Sequence, residues 1–274
     1  MKVCRTISEL REARSELEGR VGFVPTMGAL HEGHLSLVDL ARTHAEAAVS
    51  SVFVNPTQFN DPSDFEKYPR TLDDDLAMLE GRGVSLVFAP EAAELYPTHV
   101  ADVTVDVPAL TMRLEGEHRP GHFAGVCRIV LKLFNIVQPD VAVFGRKDFQ
   151  QLQVLRAMTQ GLDLPIEIVA GPTLREGDSL AMSSRNARLT AEDRRKALAI
   201  SRSLHAAIDS RQSLRELERD VRHRLDAAGL RVDYVEAVDA ATLRPADARP
   251  AVLAAAAYAG EVRLIDNVDL PSLP

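Results

Sequence analysis

Residues 21–34 read VGFVPTMGALHEGH. Val21 to Val24 is a short apolar run closed by Pro25, which predicts a strand that stops where polar residues begin. A helix is predicted over His34–Ala48, with Leu35, Val38 and Ala41 on one face. His31 and His34 flank Glu32-Gly33 at its start. A strand that runs directly into a helix N-terminus presents free backbone amides and the positive end of the helix dipole at the strand's carboxyl end, and a polyphosphate fits there. Gly28 and Gly33 are expected to let the backbone approach such a ligand closely. Two other readings stand beside this one. Histidines at i and i+3 can bind a metal, although no third ligand is evident, or they are simply surface residues at a helix start.

The same alternation continues outward. Val49–Val54 is strand-like and ends at Asn55-Pro56, and Thr71–Arg82 is helical, with Thr71 as a cap, Asp73 to Asp75 at its positive end and Gly81 and Gly83 stopping it. Val84–Ala89 is the next strand, Val103–Val107 a short one, and Phe123–Val137 a helix apolar enough to be buried on several faces. Val141–Phe144, the helix Phe149–Gln160 and the strand Ile166–Ala170 complete the set. Near-continuous Val/Ile runs separated by helices predict a parallel α/β sheet covered on both faces. After Asn186 the pattern changes to two long amphipathic helices, Thr190–Ala207 and Ser213–Ala228. Strand-like Val232–Val238 and Glu261–Asp266 follow, with the Ala-rich run Ala251–Ala259 between them. Two domains are therefore expected: residues 1–180, and a smaller α+β unit over 181–274.

Composition narrows the function. A net charge of −8 argues against a general nucleic-acid-binding surface, so any phosphate site must be local. The two cysteines, Cys4 and Cys127, form no CxxC or Cys/His cluster and are expected to be reduced thiols. The charged start MKVCRTISELREAR is unlike a signal peptide, and the apolar run 251–259 is far shorter than the roughly 20 residues that span a bilayer, so a cytoplasmic protein without membrane contact is expected.

In an open parallel sheet, ligands bind beyond the carboxyl ends of the strands. Four polar segments fall at those ends: residues 25–34, 55–59, 145–148 and 171–185. Lys147 supplies a point charge for phosphate, and Asp148 can accept ribose hydroxyls. Met182-Ser183-Ser184-Arg185 carries two hydroxyls and a guanidinium, a second anion-binding set. Asn55, Gln58 and Gln151 are uncharged amides suited to the hydroxyls and carboxylate of a small polar substrate. Taken singly, each segment also reads as an ordinary turn; their placement on one edge favours a shared site.

The motifs PTMGALHEGH, VNPTQF, RPGHFAGV, GRKDFQQL and LAMSSRN, in this order and spacing, resemble those of the pantothenate synthetase family. The resemblance covers about Val21 to Asn186 and continues more weakly to the end. It implies a Rossmann-like nucleotidyltransferase domain with a parallel sheet, a smaller α+β C-terminal domain acting as a lid, and a homodimer. It implies an AMP-forming ligase that condenses pantoate with β-alanine through a pantoyl-adenylate, using ATP as a substrate with Mg²⁺.

Carried residue by residue, the family pattern gives His31, His34 and Lys147 the catalytic roles. It assigns Met27, Gly28, Gly145, Asp148, Met182, Ser183, Ser184 and Arg185 to ATP with them, and Gln58, Gln151, Asn55 and Met27 to pantoate. No protein metal ligand is assigned. Glu115, Arg119 and His122 match the family's RPGHF neighbourhood without a definite role. Two positions depart from the pattern: Arg146 stands where the family usually has Glu, and Ser179 where it usually has Gly. An adenylyl- or cytidylyltransferase acting on a phosphorylated acceptor is the enzymatic alternative, disfavoured by the uncharged amides. A nucleotide sensor is the non-enzymatic one, disfavoured by the presence of Lys147 and both histidines.

Overall fold

The computed structural model describes residues 1–273. In chain order, the first strands are β1 (Lys2–Cys4), β2 (Val21–Thr26), β3 (Ala47–Val52), β4 (Leu86–Phe88), β5 (Val141–Gly145) and β6 (Glu167–Gly171). They form one sheet in the order β1-β4-β3-β2-β5-β6, with every neighbouring pair parallel. From β2 the chain winds outward to β3 and β4, then returns to place β5 and β6 on the other side. Consecutive loops therefore diverge between β2 and β5, and a crevice opens there at the carboxyl edge. The Rossmann-like expectation is met.

The helices follow from their apolar spacing. Helix Glu32–His44 buries Leu35, Leu37, Val38 and Ala41 against the sheet and starts two residues earlier than its periodicity suggests, because His31 itself is the cap. Helix His122–Val137 is buried on several faces, and Phe123, Val126, Val130, Leu133 and Phe134 join Phe23 and Phe144 in the main core. Cys4 and Cys127 are buried free thiols in that core. Burial, with Asp106 a smaller contribution, pushes the Cys127 thiol up to about 12, so it stays protonated.

Two local expectations are corrected, and a third gains a role. Residues 103–107 form no strand; the outer position beside β4 is taken by β1, and the segment has no ladder to join. Thr71 makes no capping bond to the helix Leu72–Gly81. Its hydroxyl instead donates to Asp75 at 3.3 Å. Asp73 to Asp75 do occupy the first turn of that helix, and Asp75, 1% exposed, also accepts the amides of Ala29 and Leu30 at 3.0 and 2.8 Å, stapling the loop after β2 to this helix. The structure adds the N-terminal strand β1 and the helix Ile7–Ser15, where Thr6 and Glu9 form a full capping box.

The C-terminal part contains helices Ala191–Ile208 and Leu214–Ala227, capped by Thr190 and Ser213, over an antiparallel sheet of β7 (Arg231–Val238), β8 (Ala251–Ala259) and β9 (Val262–Leu270). The alanine run is the central strand. Ala251, Leu253, Ala255, Ala257 and Ala259 face these two helices, and Val252, Ala254 and Ala256 face the core of the first sheet. A strand covered on both faces shows no alternation, and its small side chains let both layers come close. β9 runs four residues past the expected end at Asp266, and its extension reaches the functional crevice.

Candidate active site

The β2–β5 crevice opens into a cavity of about 220 Å³. Met27, His31, His34, Asn55, Gln58, Gly145, Lys147, Asp148, Gln151 and Met182 to Arg185 all line it, so the four polar segments do meet. Gly28 is the expected residue that does not line it. Its φ is +79°, and a Cβ there would sit 2.8 Å from the Asp75 carboxylate, so the glycine serves the Asp75 staple. Gly33 likewise makes room for a side chain: a Cβ would fall 2.8 Å from the His31 ring, whose Nδ1 accepts the Gly33 amide at 3.1 Å.

The two imidazoles stack at 4.1 Å between centroids. Burial, then the charges of His31 and Lys147, lower His34 to about 3, and burial with Lys147 lowers His31 as well. His34 is therefore a neutral ring near pH 7. Its Nδ1 is buried without a partner, and the residue lines the cavity. A neutral imidazole offers one directed N–H donor to an incoming oxygen.

The loop 55–58 is built to aim one amide. Asn55 is 1% exposed and its polar atoms are committed. Nδ2 donates to Gln58 Oε1 at 2.9 Å and to the Gly125 carbonyl at 3.2 Å, and Oδ1 accepts from the Tyr96 hydroxyl at 2.8 Å and from Thr57 Oγ1 at 3.0 Å. Asn55 thus holds Gln58, whose Nε2 reaches Met27 Sδ at 3.1 Å. Gly125 is obligatory here, since a Cβ would lie 2.3 Å from the Thr57 carbonyl oxygen. The Gln58 carbonyl is itself held by His122 Nδ1 at 2.8 Å and Arg119 Nη2 at 3.3 Å. Burial, then the Arg119 charge, lower His122 to about 4, so this neutral ring donates its Nδ1–H.

The loop 171–185 folds back through a bridge between Arg175 and Ala181. Ser183 caps the turn Ser184–Arg188 by accepting the Arg185 amide at 3.2 Å. Arg185 and Arg188 grip the two oxygens of Asp64 at 2.9 and 2.7 Å. Burial acts to raise the Asp64 carboxyl, but the two arginines outweigh it and hold it below its usual value. Tyr68 hydrogen-bonds Ser184 at 3.3 Å and lines the cavity. Sequence reasoning misses Asp64, in the short helix Pro62–Glu66, and Tyr68 just after it, because neither belongs to a motif.

Glu115 is 6% exposed and bridges the two sheets, with its oxygens taking Arg263 at 2.6 and 2.9 Å and the Tyr234 hydroxyl at 2.9 Å. Arg119 lies 3.6 Å from the same carboxylate. The segment 115–122 therefore braces the Gln58 loop against the C-terminal sheet. Asp148 is the one carboxylate lining the cavity, and no group of three potential metal ligands occurs among the described residues. Such a site suits Mg²⁺ that arrives on a nucleotide, since Mg²⁺ commonly takes most of its ligands from phosphates and water.

A family model described as pantoate-beta-alanine ligase matches residues 2–269. Pantothenate synthetase of Thiobacillus denitrificans is 52% identical, with 99% of this chain and 98% of that protein covered. Pantothenate synthetase 1 of Bradyrhizobium diazoefficiens is 50% identical over the full length of both. Among solved structures, pantothenate synthetase of Thermus thermophilus superposes with a TM-score of 0.94 at 45% identity, covering 99% of this chain and 100% of that one. Pantoate-beta-alanine ligase of Francisella tularensis, solved with beta-gamma ATP and beta-alanine, superposes with a TM-score of 0.84 at 33% identity, covering 98% and 97%.

Proposed function

This chain belongs to the pantoate–β-alanine ligase family and joins pantoate to β-alanine with ATP, and we propose that it does so through a pantoyl-adenylate formed in the β2–β5 cavity. The observation that carries this reading is the convergence of His31, His34, Lys147, Ser183, Ser184 and Arg185 on one cavity that Gln58 and Gln151 also line. The cationic and hydroxyl-bearing set suits a triphosphate, and the two uncharged amides suit a small hydroxy acid.

The pantoate carboxylate attacks the α-phosphorus of Mg-ATP in line, and pyrophosphate leaves. The two histidines, Lys147, Ser183, Ser184 and Arg185 stabilise the charge gathering on the departing phosphates, and no covalent enzyme nucleophile is required. Gly145 and Asp148 face the ribose, with the Met182 and Met27 backbones beside the nucleotide. Gln58, Gln151 and Met27 orient pantoate, and the apolar wall of Phe53, Val126 and Val130 receives its two methyl groups. The neutral amine of β-alanine then attacks the acyl carbon, AMP leaves with the electron pair of the broken bond, and the amine sheds a proton. The mixed anhydride must be kept from water. The second unit, beginning near residue 181, is assigned as the covering domain and residues 1–180 as the main substrate-binding domain, with Met182 to Arg185 at the boundary contributing to the ATP site.

A homodimer, implied by the family pattern, is proposed, and sedimentation at several concentrations would test it. Buried reduced thiols suit a cytoplasmic setting. The activity test is release of AMP and pyrophosphate in equal amounts with both pantoate and β-alanine, together with pyrophosphate exchange into ATP that needs pantoate alone. Release of ADP, or no pantoate-dependent exchange, would overturn the adenylate.

A further inference from the structure

Three consecutive features of β9 face the loops that carry the phosphate-binding side chains. Asn267 is 6% exposed, and its Nδ2 donates to two successive carbonyls, that of Arg146 at 3.2 Å and that of Lys147 at 2.9 Å. Asp269 pairs with the Arg146 guanidinium. Asp266 is 4% exposed and holds Arg175 through both oxygens at 2.7 and 3.0 Å, while Arg175 Nη1 also reaches the Ser179 carbonyl at 3.2 Å. Asp266 and Asn267 are joined as well, the Asn267 amide donating to Asp266 Oδ1 at 2.8 Å. One strand of the C-terminal sheet thus grips the Arg146–Asp148 turn and the 171–185 loop, the two segments that bring Lys147 and Ser183 to Arg185 into the cavity.

We propose that Asn267 is a positioning residue for the first half-reaction, fixing the rotation of the Arg146–Asp148 turn so that Lys147 points at the departing phosphates. The proposal rests on the assignment of Lys147 to those phosphates. The chemistry selects the residue. Carbonyls on consecutive residues need two donors from one atom, and a short side-chain amide supplies them on a planar nitrogen. Aspartate, the same size, would set an acceptor against two acceptors. A three-residue turn has no ladder of its own to define its orientation, and a lysine reaching from it inherits any rotation of the turn at the end of a long side chain. Arg146 supports the same grip: where a glutamate would face Asp269 with like charge, this chain has an arginine that pairs with it.

The test measures the half-reactions separately in Asn267→Ala, Asn267→Ser, Asn267→Asp and Lys147→Ala. In Asn267→Ala, pantoate-dependent pyrophosphate exchange falls about tenfold to a hundredfold, as expected for misplacement of a charge by an ångström or so. Amide formation from pantoyl-adenylate supplied directly, which has no triphosphate to neutralise, stays within roughly threefold of the parent enzyme. Asn267→Ser, which keeps one donor, falls between, and Asn267→Asp loses more exchange than the alanine variant. Exchange that survives in all three Asn267 variants, or a parallel fall of both half-reactions, overturns the proposal. If the alanine variant does not fold, the serine variant is read by the same two rates. Lys147→Ala separates the premises: normal exchange there defeats the assignment of Lys147, whereas lost exchange there beside normal exchange in the Asn267 variants defeats the positioning role alone.

Discussion

The loop after β2 and the strand β9 both serve the proposed phosphate end of the cavity, but the first does so with side chains and the second through the backbone of other loops. His31 and His34 line the cavity themselves, positioned by Gly33 and by the Asp75 staple. Asn267, Asp266 and Asp269 do not line it; they hold the turn and the loop whose residues do. The first arrangement concentrates chemistry in a short motif. The second spreads the support of those loops over a different sheet, so under the proposed role of Asn267 adenylate formation is expected to depend on how the two sheets are docked.

The largest difference between the two regions should appear in the cavity itself. Removing one preorganised donor from charge developing in a transition state typically costs about 10²–10³ in rate. His34→Ala and Lys147→Ala are therefore expected to lose roughly that much pantoate-dependent pyrophosphate exchange while unfolding near the parent temperature. His34 Nδ1 has no hydrogen bond to lose, and Lys147 sits on a short turn. Exchange within a few-fold of the parent in both would leave the cavity without its phosphate side.

At the docking surface, stability rather than rate should respond first. Glu115 accepts from Arg263 and Tyr234 in a nearly closed environment. Removing one member of a buried ion pair costs about 3–5 kcal/mol, because the partner is left charged and desolvated. Asp233 still pairs with Arg263 at 2.7 Å, so Glu115→Ala is expected at the lower end, about 3 kcal/mol, in a denaturant titration. A loss below about 1 kcal/mol would mean that the two sheets dock without this network.

Acid offers a second handle. His34 at about 3 and His122 at about 4 both titrate below the ordinary histidine value when folded. The unfolded chain therefore takes up protons first as pH falls below about 6.5, so this contribution to stability is complete above that pH and drains away toward pH 4 and then 3. For one such histidine, the loss amounts to at most about 1.4 kcal/mol for each pH step of one within that window. The melting temperature should decline from pH 6.5 to 5, and less steeply in a His122→Asn variant. Identical profiles for the two proteins would show that His122 is not held neutral.

The convergence of the residues proposed to face phosphate is legible in the sequence because their pattern is local. HEGH, GRKD and MSSR each lie in or at the end of the loop that follows an apolar strand, and in a parallel sheet those ends share an edge. The supporting half is not legible. Asn55 reads as a substrate ligand, but what it does depends on Gly125, Tyr96 and Thr57, two of them far along the chain. Glu115, Arg119 and His122 stand near the site without a role in sequence because Arg263 and Tyr234 lie more than a hundred residues further on. The strand pattern of β9 fades at Asp266, and the residues beyond, polar and unremarkable in sequence, gain meaning only from the turn they touch.

Arg146 tests the docking surface more gently. It does not line the cavity: it pairs with Asp269 and lies over the Phe149 ring at 5.6 Å. Exposed ion pairs of this kind are worth at most about 1 kcal/mol. Arg146→Glu should therefore change kcat/KM only a few-fold, about 1 kcal/mol of transition-state stabilisation. Adding Asp269→Lys should recover most of the loss by restoring the pair with reversed sign. A loss beyond roughly a hundredfold that shrinks at high salt and ignores Asp269→Lys would place Arg146 at the phosphates instead.

The smallest expected effect is at Ser179, in the loop that Arg175 ties to β9. Its φ is +75°, a left-handed conformation that costs a residue with a Cβ about 1–2 kcal/mol. The conformation is kept because the loop must turn there: the Ser179 amide donates to the Glu176 carbonyl at 2.8 Å, and its own carbonyl accepts from Arg175 at 3.2 Å. Glycine removes the steric cost but adds freedom to the unfolded chain, which offsets roughly 0.4–1 kcal/mol of the gain. Ser179→Gly is therefore expected to stabilise the protein by about 0.5–1 kcal/mol, with pyrophosphate exchange unchanged because the backbone path to Ser183 is already the one glycine prefers. Calorimetry decides between two accounts. A rise in melting temperature of a degree or two fits a loop strained by its serine and held by Asp266 through Arg175. A fall would mean that the serine side chain makes a contact worth more than the strain, and that the loop is held at Ser179 itself rather than from β9.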